Sequence, residues 1–439
     1  MQVSIIEADG TLDQKVQVRR LIAHGKQQQI MSAQKKLSYE LKLLISGQIK
    51  PQEVTSSTIS YHLQTEDEYL KNDWFMNQTF GFHGVISKKD QKFLEKFYGE
   101  ECRKFLPVAG VATKLNSSNM LIAHAYSFLP LPIQTGLPVH VNGHFAIHSS
   151  RRSIWEHTSF GLWNKVLRDH IMAPAYCHFL IDLGKTFHTT TDIKRWIRFL
   201  PETSRAKDDF FCLLVRRVYS YMLEAALPII PIPKENLLSF HPPGSCLFAT
   251  AVRNSVVESV LLKLGQNVCT ASEVGLRFKM ASVTGLHYIK PDIVLECLKR
   301  SNLELHKCIK DTPFTDEETL RQVIVYVLEG SAAKDYRLLA NAPLCLTSDN
   351  NLRLFSTQSP VFVDSEFSEL NPNFGKMFIH GHISSNFVSL RSQQSNDSIR
   401  CLQFEDVGAL VPESSAFTNI SWSKLLWKFI KVSTVEFKN

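Results

Sequence analysis

The sequence predicts a mixed α+β fold: a β-rich portion carries a helical layer, and a second mixed α/β unit follows. Three observations predict it. Alternating apolar and polar runs crowd the chain up to Ile147. Runs with apolar residues three and four apart then dominate from Thr158 to Leu227. The proline-dense stretch "PIIPIPKENLLSFHPPGS" separates these from a region of capped helices and short strands.

The elements follow in order. "QVSIIEADGTLDQKVQVRR" reads as two alternating runs around Asp9-Gly10, a hairpin signal. A domain rarely opens in a strand with no lead-in, so a segment upstream of Met1 is expected. "KKLSYELKLLISG" fits helix or strand, and its pattern does not decide between them. "EVTSSTISYHLQ" is β-branched and reads as strand. "SKKDQKFLEKFYGEECRKFLP" reads as helix: Ser87 caps it, Asp90 sits near its positive end, and Phe93, Leu94, Phe97 and Phe105 form the apolar stripe. "NMLIAHAYSFLPLP" reads as one strand.

Trp163, Val166, Leu167 and Ile171 keep helical spacing, and Pro174 implies a kink or a break. "TTTDIKRWIRFLP" and "AKDDFFCLLVRRVYSYMLEAALP" read as two further helices. Beyond the prolines, "NSVVESVLLKLGQNV" is a helix, and "KPDIVLECLKRSN" starts one with Pro291 in its first turn. "TDEETLRQVIVYVLEG" offers Thr315 and Glu318 as a capping box, with Gly330 past the end. "APLCLTSDNNLRLFS" is a hairpin around Asp349-Asn350, and "SWSKLLWKFIKV" a last amphipathic helix.

Composition narrows the function classes. The net charge of +7 comes from 49 basic and 42 acidic residues scattered along the chain, without the basic stripe that nucleic-acid binding uses. No nucleic-acid partner is expected. The 9 cysteines include no CxxC pair, and with no secretory signal they read as reduced thiols, mostly in the core. No apolar run is long enough to span a membrane.

The chemistry-bearing residues gather in "FLPLPIQTGLPVHVNGHFAIHSSRRSIW". Val139, Val141, Phe145 and Ile147 share one parity, with Gly143 in phase; His140, Asn142, His144 and His148 share the other. One strand with a buried and a polar face explains this better than a hairpin at Asn142-Gly143. On a strand, residues four apart lie about 13 Å apart, so His140, His144 and His148 do not share an ion unless the chain turns. A metal-dependent enzyme using these three histidines is the weakest of three readings. Arg151 and Arg152 follow, before a helix. They pair with carboxylates or stay solvated, or else reach a phosphate, which the planar guanidinium fork suits. "LGKT" at Leu183 lacks the earlier glycine of a phosphate loop, because Phe179 stands there; Gly184 reads as a helix cap. No catalytic constellation is present, and no cofactor is called for.

The stretch just quoted, followed by "LWNKVLRDHIMAPAYCHFLIDL", resembles the large internal repeats of the sacsin family. "GVATKL", "VRRVYSYM", "GLHYIKPDIVLECLK", "APLCLTSDNNLRLF" and "SPVFVDSEFSEL" agree in order, so the likeness spans roughly residues 60 to 380. Each such repeat begins with an ATP-binding domain similar to that of the ninety-kilodalton heat-shock chaperone. Its Asn-bearing helix and DxGxG loop are missing from this sequence, so the chain resembles the part downstream of the nucleotide pocket. The resemblance implies three segments. Residues 1–60 are a strand and hairpin remnant joining the ATP-binding domain. Residues 61–230 are a unit like the chaperone's middle domain, and 231–439 the second mixed α/β unit. It further implies a cytoplasmic chaperone or co-chaperone scaffold in protein quality control, not catalytic by itself. The implied partners are the seventy-kilodalton chaperone system, the proteasome and other parts of the same repeat. In the related chaperone a basic residue of the following domain meets the terminal phosphate of ATP. By order of elements, Arg151 or Arg152 would do so here, making the chain half of a split ATPase.

Overall fold

A computed structural model describes residues 20–23, 26–66, 71–100, 104–115, 121–250, 254–301, 303, 307–329, 336–370, 372–387, 398–403, 405–406 and 420–436. The hairpin expected around Asp9-Gly10, Cys102 and Gly330 lie outside these residues. The fold is mixed α+β, as expected. The chain clusters into two compact units, Met1–Cys246 with Cys269–Leu286 and Leu247–Val268 with His287–Asn439.

The first unit is built on seven strands: β1 (Arg20–Ala23), β2 (Ser57–Glu66), β3 (Lys71–Phe80), β4 (Val108–Lys114), β5 (His124–Ser127), β6 (Leu129–Gln134) and β7 (His140–Gly143). They lie in the order β1-β2-β3-β4-β7-β5-β6, antiparallel except for the β5–β7 pair. Asn77 pairs with Ser60 and Val111, Val111 with Val141, and Val141 with Ala125. Since paired residues share a face, these residues share one side of the sheet with Phe75 and Thr79. The helices cover this side: Phe75 packs on Phe179, and Ser60 bonds Asp182.

The undecided segment is helix α1 (Gln27–Ile45), whose stripe Ala33, Leu37, Leu41 and Leu44 is buried. Helix α2 (Lys88–Glu100) begins as expected: the Ser87 hydroxyl accepts from the Asp90 N–H at 3.1 Å and donates to its carboxylate at 2.7 Å. Phe105 lies beyond the helix as described, yet its ring still meets Phe97 at 5.7 Å. "NMLIAHAYSFLPLP" is not one strand. It folds back at Phe128 (φ 63°) into the β5–β6 pair, where Ser127 faces Leu129.

Pro174 neither breaks nor simply kinks its helix. α3 (Thr158–Leu167) runs through a π turn (Arg168–Met172) into α4 (Ala173–Gly184). A proline cannot donate to the carbonyl four residues back, here that of His170. The backbone N–H of His83 takes that place at 2.8 Å. Gly184 is the last helical residue and not a left-handed cap. A Cβ there would stand 3.1 Å from the Phe240 ring, so close packing explains the glycine. The expected helix at Thr189 shortens to a 3-10 turn and α5 (Ile193–Ile197), and α6 (Asp209–Glu224) is capped by Asp208. The proline-dense stretch forms the β8 (Ile230–Lys234) and β9 (Leu237–His241) hairpin.

In the second unit, α7 (Ser255–Lys263) is capped by Asn254. The chain then returns to the first unit for α8 (Ser272–Met280). Helices α9 (Pro291–Arg300) and α10 (Glu317–Glu329) share a core with the segments around Leu344–Leu346 and Phe355. The cap of α10 is Asp316, which accepts from the Thr319 N–H at 2.7 Å. Thr315 takes φ 66°, outside the range a helix N-cap uses, so the cap moves one residue on, and Glu318 accepts from Arg321 and Gln322 instead. The expected hairpin turns at Asn350 (φ 62°), between Cys345–Leu346 and Leu352–Arg353. The last helix, Ile420–Glu436, adds Trp422 and Phe429 to a small cluster with Phe362, Phe367 and Phe378. Among the described residues the cysteines are free, and no helix is long and apolar enough to cross a membrane.

Candidate functional site: two hairpin tips and the histidine face

The chain leaves the β7 ladder after Gly143, and Asn164 of α3 takes over its backbone. The Ala146 N–H donates to Asn164 Oδ1 at 2.8 Å. The Asn164 amide in turn donates to the carbonyls of Ala146 and Trp155, both at 2.8 Å. Trp163 Nε1 donates to the His144 carbonyl at 2.9 Å. Ile147 bridges Ile154, the His148 N–H meets Ser153 O at 3.1 Å, and the Arg151 N–H meets His148 O at 2.8 Å. Residues 146–155 are therefore a hairpin with the two arginines at its tip, instead of a direct run into the helix.

Arg151 is left-handed (φ 59°) and half-buried, and its Nη2 reaches the Ser127 carbonyl at 3.4 Å. Arg152 is exposed. Among the described residues neither guanidinium has a carboxylate partner. The contact to Ser127 places this tip beside that of the β5–β6 hairpin. There Phe128 is also left-handed, its N–H donates to Asn142 Oδ1 at 3.2 Å, and its ring stands edge-on to His144 at 4.9 Å. Holding a bulky aromatic residue in that region costs about 1–2 kcal/mol.

The parity read from the sequence holds from Val139 to Phe145. Val139, Val141, Gly143 and Phe145 are buried; His140, Asn142 and His144 are half-exposed. The strand does not turn at Asn142-Gly143. Consequently the three histidines go to different places. His140 accepts the His124 N–H on Nδ1 at 3.0 Å and lies between the rings of Trp74, His124 and Tyr126. His144 accepts the Leu106 N–H on Nδ1 at 2.9 Å, and burial lowers its pKa. His148 stacks on Trp155 at 3.9 Å. The metal reading fails on this geometry: each ring serves its own neighbour. Among the described residues no group of three or more His, Cys, Asp or Glu could hold an ion.

Two features escaped the sequence reading. Asn164 was hidden in the run Trp163 to Leu167; a polar residue in phase with a buried stripe is the signal that marks it. The second is a polar seam between the sheet and α4. Ser60 donates to Asp182 at 2.6 Å, Asn77 donates to Ser60 at 2.8 Å, and Thr58 meets Thr79 at 3.2 Å and His83 at 3.3 Å. The His83 and His178 rings are 5.3 Å apart. Burial, with His178 beside it, pulls the His83 pKa down to about 4. His170, next in the seam, faces Asp90 at 3.5 Å.

No known family profile matches the chain, and no solved structure matches it. Human sacsin does, with 29% identity over 197 residues covering 40% of this chain. The chain carries a sacsin-like region. That match spans 4% of human sacsin, so what the whole of sacsin does is a separate matter from what this region does.

Proposed function

We propose that the sacsin-like chain is a chaperone-type scaffold acting in protein folding and quality control, and that it is not catalytic by itself. The likeness to human sacsin carries this reading. On the same reading its setting is the cytoplasm, and its partners are the seventy-kilodalton chaperone system and the proteasome. The test is light scattering from a heat-denatured reporter protein. An equimolar amount of the purified chain should suppress the scattering, and unchanged scattering would end the proposal.

A second reading is favoured by one observation, the pair of guanidiniums without carboxylates at a hairpin tip. A guanidinium not already neutralised is free to meet phosphate oxygens. Here the chain is half of a split ATPase, with Arg151 or Arg152 against the terminal phosphate of ATP held by a sacsin-type ATP-binding domain. The chain alone should leave ATP intact. With such a domain added, Arg151→Ala or Arg152→Ala should slow hydrolysis about a hundredfold or more while ATP binding changes little. Equal rates for wild type and both variants would dismiss it.

A further inference from the structure

We infer that the adjoining tips of the two hairpins form a docking patch for an acidic, apolar segment of another protein chain; this rests on the scaffold reading and names what that scaffold holds. One tip presents Phe128 and Leu129, 66% and 63% exposed. The other presents Arg151 and Arg152, with Arg151 bonded to the carbonyl just before Phe128. Large apolar side chains at that exposure, side by side and next to two cations without a carboxylate partner among the described residues, are unusual on a protein surface.

The backbone gives a second reason. Each tip is held by a non-glycine residue in the left-handed region, Phe128 at φ 63° and Arg151 at φ 59°. Strain of this kind persists where the surrounding structure over-determines it, and it gathers at binding sites. The clamps are visible: Asn142 holds the Phe128 N–H, and Asn164 and Trp163 hold the base of the arginine hairpin. Glycine at position 128 would relax the turn and remove the ring. That the chain has phenylalanine there points to a use for the ring.

Charge and edge chemistry choose the occupant. The patch carries two positive charges within a chain of net charge +7, so a second copy would bring like charges together. β6 is an edge strand of the sheet, and Pro130 and Pro132 remove two of its backbone donors, which opposes strand addition. What remains is recognition by side chains: carboxylates for the guanidiniums and a large apolar group for Phe128 and Leu129. The phosphate reading needs only the guanidiniums, whereas this one needs Phe128 and Leu129 as well.

The probe is a short fluorescein-labelled peptide with a Phe-Leu pair flanked by glutamates, followed by anisotropy against the full chain. Binding should weaken with added salt. It should fall about tenfold in Arg152→Glu and in Leu129→Ser, and about tenfold when lysines replace the glutamates. Phe128→Gly should lose binding to a similar degree while its melting temperature holds or rises, since glycine adopts the turn freely. Equal affinity in the three variants, or preference for the lysine peptide, would overturn the patch. So would tighter binding of an RNA oligonucleotide of equal charge, or dimerisation of the chain blocked by Arg152→Glu. Peptide binding without suppression of aggregation would keep the patch and discard the scaffold reading. Suppression that survives the Phe128→Gly, Leu129→Ser, Arg152→Glu triple variant would do the reverse.

Discussion

The two faces of the seven-stranded sheet use the same strands for opposite purposes. On the helix-covered side, Phe75, Val111, Val141 and Ala125 lie in the core, and Phe179 of α4 presses on Phe75. On the other side, Trp74, Lys114, Tyr126, His140 and Asn142 make a layer of rings and amides. Lys114 sits over Trp74 at 5.2 Å, and His140 meets Tyr126 edge-on at 5.4 Å. The first side gains by removing apolar area from water. The second also buries Ile59, Leu63, Trp74 and Phe80 along β2 and β3, but across β7 and β5 its half-exposed polar atoms serve backbone donors of neighbouring strands, as His140 does for His124. The contrast therefore lies along β7 and β5, where Val141 and Ala125 are buried on one side and His140, Asn142 and Tyr126 stay half-exposed on the other.

The sharpest way to break that contrast is to truncate one ring on each side. Phe179→Ala removes a fully buried ring that touches Phe75, Tyr176 and Phe199. It should cost about 3–5 kcal/mol. Tyr126→Ala, at a half-exposed position of the other side, should cost about 1 kcal/mol. Urea unfolding followed by circular dichroism checks both; comparable losses would mean that the two faces are energetically alike.

Asn164→Ala tests where the core hands over to the arginine tip. The variant leaves the Ala146 N–H and the Trp155 carbonyl without that partner, while the Ala146 carbonyl keeps the Trp155 N–H at 3.0 Å. Orphaned buried backbone groups should cost about 2–3 kcal/mol. Hydrogen exchange should quicken in residues 146–155 before it quickens in β4. Uniform quickening would show that Asn164 supports the core generally and not the hairpin.

Much of this contrast was legible in the sequence. Period-two alternation from Val139 to Phe145 reported correctly which residues are buried, because burial on one face is what selects the pattern. Helices with a strong stripe and a cap, such as α2 and α6, were found for the same reason. What stayed hidden depended on contacts far apart in the chain. Nothing local announces that His83 will take the carbonyl freed by Pro174, so the π turn was read as a kink or break. The turn at Phe128 carries no glycine, asparagine or aspartate, the residues by which a left-handed turn is usually recognised. The arginine tip was read as a helix approach because its hairpin is closed by Asn164, ten residues and more from its tip.

A smaller effect distinguishes the seam beneath α4 from both faces, and it is read from pH. His83 is held by its N–H to His170 O and by its ring to Thr58, and its folded pKa is about 4 against the ordinary value of 6.5. Burial and the nearby His178, itself lowered mainly by burial, both oppose protonation in the folded state. The unfolded chain therefore binds this proton more readily, and stability rises with pH across that window. The contribution is complete above pH 6.5 and is lost progressively as pH falls toward about 4, where the folded form protonates too. With His83 only partly exposed, the loss should be on the order of 2 kcal/mol. His83→Gln keeps a side chain able to bond Thr58 and removes the titration. Its unfolding midpoint should change less between pH 7 and pH 5 than that of the wild type. A wild-type slope retained in full would assign the pH dependence to His178, His144 and His380, whose pKa values burial also lowers.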